Sequence, residues 1–84
     1  MARGYQYLVY GRSSCPYCND AQDLLGFCGL DYTFFDHEDD RGFLEEVKTF
    51  YGMTTVPIIL KIDEETGLTK LIGGFDKLKG ELSD

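Results

Sequence analysis

Cys15 and Cys18 are separated by Pro16 and Tyr17. Thiols at this spacing can form, attack and resolve disulfides when the first lies at the start of a helix. Cys15 stands where an apolar run, Tyr5 to Tyr10, gives way through Gly11-Arg12-Ser13-Ser14 to a helical pattern opening near Pro16. Proline suits the first helical position, where a missing N–H costs little. Cys15 is thereby expected at a helix N-terminus, where unpaired backbone N–H groups and the helix dipole favour negative charge. A free thiol has a pKa of about 8.5, and such a position beside a cation, here Arg12, is expected to lower it. Cys18, one turn further on, is in reach of a mixed disulfide formed on Cys15. Two other readings of the same residues stay open: half of a structural zinc site, or two inert core thiols.

A third cysteine, Cys28, and the single histidine, His37, would complete a nominal Cys3His set for zinc. On a continuous helix Cys28 lies about 15 Å along the axis from Cys18. Zinc–sulfur bonds are about 2.3 Å, so that set does not close, and a Cys18–Cys28 disulfide is out of reach as well. Cys28 is expected instead on the buried face of the helix with Cys18, Ala21 and Leu25. His37, in a polar turn, is expected to be solvated.

The elements that must position these residues follow from periodicity. Tyr5–Tyr10 reads as a buried strand ended by Gly11. Pro16–Cys28 reads as a helix, with Gly29 as its stop. Tyr32–Phe35 is a second strand, and a strand–helix–strand unit of this length pairs its strands in parallel. The acidic turn Asp36-His37-Glu38-Asp39-Asp40 follows, and its charges are expected to face solvent. Phe43, Leu44, Val47, Phe50 and Tyr51 form a helical apolar stripe, N-capped by Asp39 or Asp40 and ended by Gly52. Val56–Ile62 is a strand opened by Pro57. Asp63–Gly67 makes a hairpin loop, Leu68–Ile72 returns antiparallel, and Gly73-Gly74 turns into a short helix, Phe75–Leu82. The order β-α-β-α-β-β-α predicts an α/β fold with helices on both faces of four strands.

Eighty-four residues form one expected domain, 1–84, long enough to bury a thin core. The net charge of −7 speaks against a nucleic-acid partner, which requires clustered Lys and Arg. No apolar run matches a signal peptide or a membrane span. Three cysteines without a secretion signal predict a reducing, cytoplasmic setting.

Three separated motifs now stand in order: Gly11-Arg12-Ser13-Ser14-Cys15-Pro16-Tyr17-Cys18, then Thr55-Val56-Pro57, then Gly73-Gly74-Phe75-Asp76. Together they resemble the glutaredoxins, over essentially the whole chain. The resemblance implies a thioredoxin-like fold, a mixed four-stranded sheet in the order 2-1-3-4 flanked by three helices, with a cis peptide bond before Pro57. It implies Cys15 and Cys18 as catalytic thiols forming a redox-active disulfide, with no bound cofactor or metal and glutathione as co-substrate. By position, Arg12 and Tyr17 would contact the glycyl end and body of glutathione, and Val56 would pair with its cysteinyl backbone, with Thr55, Pro57 and Gly74 also in the glutathione site. The N–H groups of Phe75 and Asp76 would hold the γ-glutamyl carboxylate. Protein disulfides are the implied substrates, with ribonucleotide reductase as a candidate client and a flavoprotein reductase as an alternative source of electrons, for a monomer. The chain departs from the family at Lys77, where a second Asp is usual, and at Ile58, where Gln or Arg is common. The rival class is a metal-binding module, an iron–sulfur or zinc carrier using Cys15.

Overall fold

The structure, a computed structural model, describes residues 4–83; Met1–Arg3 and Asp84 of the expected domain lie outside the described residues. Seven elements follow in the order β1 (Tyr5–Gly11), α1 (Pro16–Phe27), β2 (Asp31–Asp36), α2 (Arg41–Tyr51), β3 (Ile58–Asp63), β4 (Thr69–Gly73) and α3 (Phe75–Leu82). The sheet order is β2-β1-β3-β4. β1 runs parallel to β2 and antiparallel to β3, and β3 runs antiparallel to β4. This is the thioredoxin-like arrangement expected from the sequence.

Alternation along β1 sends Tyr7 and Val9 to one face of the sheet. There they meet Ile59 of β3, Ala21 and Leu25 of α1, and Leu78 of α3 in one buried cluster. Fully burying a side chain such as Leu25 or Leu78 contributes about 1.5–3 kcal/mol. The opposite face carries α2, which buries Leu44 and Val47. The rest of the α2 stripe departs from expectation: Phe43 is exposed, and Phe50 is 79% exposed. α2 rests on β1, and no further element covers its aromatic flank among the described residues.

Two helix ends are closed alike. Gly29 takes a left-handed φ of 70°, the Gly29 N–H donates to Gly26 O, and the Leu30 N–H donates to Leu25 O. Gly52, at φ 68°, supports the same pair of bonds, from its own N–H to Thr49 O and from the Met53 N–H to Lys48 O. The first closure corrects the expectation for Cys28, which is exposed. α1 ends at Phe27, and the chain turns back through Gly29 so that Leu30, not Cys28, packs against the core. The strand expected from Val56 starts two residues later, at Ile58, after a cis Val56–Pro57 bond. No helix among the described residues is long and apolar enough to cross a membrane.

Candidate functional site

Strand register brings the three motifs together. In the parallel pair Gly11 stands opposite Asp36, so the loops after β1 and β2 leave the sheet side by side. Ile58 stands opposite Tyr10, which places Pro57 at the same end. Ile59 stands opposite Gly73, adding the turn into α3. A site outside the carboxyl ends of parallel strands is the usual location in open α/β sheets.

The cysteines occupy the first turn of α1. Cys15 is its N-cap, with Pro16 in the first turn. Cys15 keeps 7% of its surface accessible and Cys18 keeps none. All three thiols are free. Burial pushes the Cys18 thiol up to about 12; a lowering by the Arg12 backbone opposes this, and the adjoining Cys15 raises it further. Gly11 makes room for this arrangement. A Cβ there would lie 2.3 Å from Cys18 Sγ, with Phe34 Cε1 at 3.5 Å.

The loop ahead of Cys15 is held by the turn after β2. The Ser13 N–H donates to Asp36 Oδ1 at 3.0 Å, and the Ser14 N–H donates to Glu38 Oε1 at 2.9 Å. The His37 N–H donates to Gly11 O at 2.8 Å. Arg41 pairs with the second oxygen of Glu38. The Ser14 hydrogen bonds, ahead of the Arg41 pair, hold the Glu38 carboxyl down at about 2. Two of the acids expected merely to face solvent are therefore acceptors for the cysteine loop. His37 also departs from expectation. Its ring packs between Tyr10 and Phe43, with centroids at 5.9 and 4.9 Å, and its Nε2 is buried without a hydrogen-bond partner.

Beside the cysteines opens a cleft of about 410 Å³. Tyr17, Thr55, Val56, Pro57, Gly74, Phe75 and Asp76 line it. These are seven of the eight positions singled out by the resemblance for substrate contact. Of these, Tyr17 and Phe75 stack on each other with ring centroids 6.2 Å apart. Arg12, the eighth, does not line the cleft; its Nη1 lies 3.4 Å from Ser14 Oγ. Met53 and Lys77 line it as well. Met53 was missed by sequence reasoning, its available signal being its place directly after the Gly52 helix stop. The base of the Lys77 side chain lies over Gly73, where a Cβ would meet Lys77 Cγ at 3.0 Å. A second depression, on α2 between Glu45, Glu46, Thr49 and Phe50, shares no residue with the cleft.

Among the described residues, no group of three or more His, Cys, Asp and Glu side chains is arranged to hold a metal ion. Cys28, at the far end of α1, is remote from the cysteine pair. The arrangement is suited to two-electron exchange between a dithiol and a disulfide.

Comparison with known proteins gives the same direction. The family model described as Glutaredoxin matches residues 7–65. The solution structure of glutaredoxin from Brucella melitensis is similar at 26% identity and a TM-score of 0.71, over 94% of this chain and 79% of that one. Glutaredoxin 1 from Francisella tularensis, complexed with cacodylate, is similar at 25% identity and a TM-score of 0.64, over 93% and 92%. The glutaredoxin-like NrdH-redoxin from Escherichia coli, whose activity profile is described as thioredoxin-like, shares the fold at 18% identity and a TM-score of 0.65, over 94% and 96%. A comparison with curated protein sequences finds no significant match.

Proposed function

Because the chain belongs to the glutaredoxin family and is a thiol–disulfide oxidoreductase, we propose that it reduces protein disulfides and mixed disulfides with glutathione as co-substrate. In this reading the Cys15 thiolate attacks a substrate disulfide, forms a mixed disulfide and releases the first substrate thiolate. Cys18 then loses its proton and attacks Cys15 Sγ. The second substrate thiolate leaves, and Cys15–Cys18 is the oxidised product. Two glutathione molecules return the electrons: the first opens the disulfide onto Cys15, and the second releases oxidised glutathione. The raised Cys18 thiol supports this division of labour. Burial keeps the Cys18 thiol protonated at pH 7, so Cys18 suits resolution, after Cys15 has become an electrophile beside it.

The observation that carries the substrate assignment is the cleft between Val56–Pro57 and the start of α3. In the proposed complex the Val56 backbone pairs with the cysteinyl part of glutathione, as in strand addition. The N–H groups of Phe75 and Asp76, opening α3, receive the γ-glutamyl carboxylate. Tyr17 covers the tripeptide, with Arg12 reaching its glycyl carboxylate from the loop. The reaction suits a reducing compartment, and ribonucleotide reductase is one client class of suitable chemistry. The test is to mix the oxidised protein with glutathione, and separately with a flavoprotein disulfide reductase and its nicotinamide donor. Faster turnover with glutathione is expected. Reduction by the flavoprotein alone would overturn the assignment of co-substrate while leaving the thiol chemistry in place.

A further inference from the structure

The backbone between Gly11 O and Cys15 N is bonded within itself once and to groups outside the loop four times. The Cys15 N–H closes a turn onto Arg12 O at 3.1 Å, and the Asn19 side-chain amide donates to Ser13 O at 3.3 Å. Gly11 O, the Ser13 N–H and the Ser14 N–H are held by the turn after β2 through His37, Asp36 and Glu38 respectively. Asp36 Oδ1 also accepts the Glu38 N–H at 3.0 Å, so the turn is folded on the same oxygen that holds the loop. Glu38 is fixed a second time by Arg41, whose Nε donates to Glu38 O at 3.3 Å and whose Nη2 meets the carboxylate. The chain from Arg41 through Glu38 to Ser14 ends one residue before Cys15.

We propose that Glu38, braced by Arg41, is a positioning residue for the redox centre: by holding the Ser14 amide it fixes the approach of Cys18 to Cys15. The inference rests on the dithiol reading above. A disulfide between neighbouring thiols is stable in proportion to the effective concentration of one thiol at the other, and that concentration falls when either anchor loosens. Cys18 is itself fully buried against the sheet side of α1, so the adjustable partner is Cys15, the last residue of an exposed loop. Of the bonds that reach that loop from outside α1, the charge-assisted one at Ser14 is the nearest in sequence to Cys15. The low Glu38 pKa is the reciprocal sign of this coupling, since the Ser14 bonds are its principal cause.

The test is the equilibrium of oxidised protein plus two glutathione with dithiol protein plus oxidised glutathione, measured for the wild type and three variants. Glu38→Ala removes the acceptor and is expected to favour the dithiol by about three- to tenfold, about 14–30 mV at 30 mV per tenfold. Glu38→Gln keeps an oxygen for the Ser14 N–H and is expected to stay within about twofold of the wild type. Arg41→Ala leaves Glu38 with one anchor and is expected to fall between them. Amide exchange at Ser14 in the reduced protein should quicken in the same order, while far-ultraviolet circular dichroism stays unchanged. A Glu38→Ala equilibrium equal to the wild type overturns the proposal, as does a Glu38→Gln shift as large as that of alanine. Should Glu38→Ala fail to fold, the Arg41→Ala equilibrium decides on the same criterion. A wild-type protein that never equilibrates with glutathione overturns the co-substrate reading alone, and the same comparison is then read against a dithiothreitol couple; equal variants there, or on a glutathione-active wild type, overturn the proposal alone.

Discussion

The two ends of α1 each carry cysteine, and they could hardly be treated more differently. At the N-terminal end, Cys15 and Cys18 are buried, a glycine is required beneath Cys18, and the preceding loop is tied to a neighbouring turn. At the C-terminal end, Cys28 is exposed, beyond the last helical residue. Composition does not separate these thiols; surroundings do. A thiol gains chemistry from burial, from a partner thiol and from a substrate groove, and all three meet at the first end only. The far end is organised instead around Gly29, whose left-handed conformation returns Leu30 to the core.

The comparison is tested most severely at the cysteines. Cys15→Ser should abolish disulfide exchange, while Cys18→Ser should retain deglutathionylation and lose reduction of protein disulfides. Alkylation with iodoacetamide at mildly acidic pH should label Cys15 before Cys18, and the reverse order would exchange their roles. Next comes Gly11→Ala, which forces a methyl group against Cys18 Sγ and Phe34. Overpacking of this kind costs about 1–3 kcal/mol. The variant should unfold at lower urea concentration and resolve mixed disulfides more slowly; an unchanged midpoint would show that Cys18 can move aside.

The cleft beside this end offers a smaller lever at Lys77. In the proposed complex Lys77 puts a positive charge close to the γ-glutamyl amine. Exchanging repulsion for attraction at an exposed position changes binding by up to about tenfold. Lys77→Asp should therefore lower the KM for glutathione, and the gain should shrink at high salt. An unchanged KM at low salt would mean that the amine is bound away from Lys77.

The loop–turn contact has its own pH signature. The folded Glu38 carboxyl lies near 2, below its unfolded value of 4.5. Its contribution to stability is therefore complete above about pH 4.5 and is lost as pH falls towards 2. Glu38→Gln should flatten acid unfolding across that window, as read by circular dichroism, and an identical acid profile would show that the unfolded chain holds Glu38 equally well. The smallest effect belongs to the other end of the helix. Cys28→Ala removes an exposed thiol and should change stability by no more than about 0.5 kcal/mol, with turnover unaltered. A large loss of stability would place Cys28 back in the core, against its exposure here.

Local chemistry was legible from the residues alone. Pro16 at the start of a helix, the apolar run of β1 ended by Gly11, the glycine stops at positions 29 and 52 and the Gly67 hairpin each act within a few residues, and each was read correctly. That Tyr17, Thr55–Pro57 and Gly74–Asp76 belong together was legible from the resemblance, because the family pattern is written in order along the chain, and they line one cleft. What escaped was decided between segments distant in sequence. Whether Asp36 and Glu38 face water or the Ser13 and Ser14 amides depends on Gly11 standing opposite Asp36, a matter of strand register. The His37 ring is partly covered for the same reason, its neighbours Tyr10 and Phe43 arriving from β1 and α2. Phe50 keeps helical periodicity yet meets solvent, because periodicity selects a face and only the neighbouring elements decide how far that face is covered. Sequence sets which groups can bond and pack; the three-dimensional pairing of β1, β2 and β3 decides which partners are within reach.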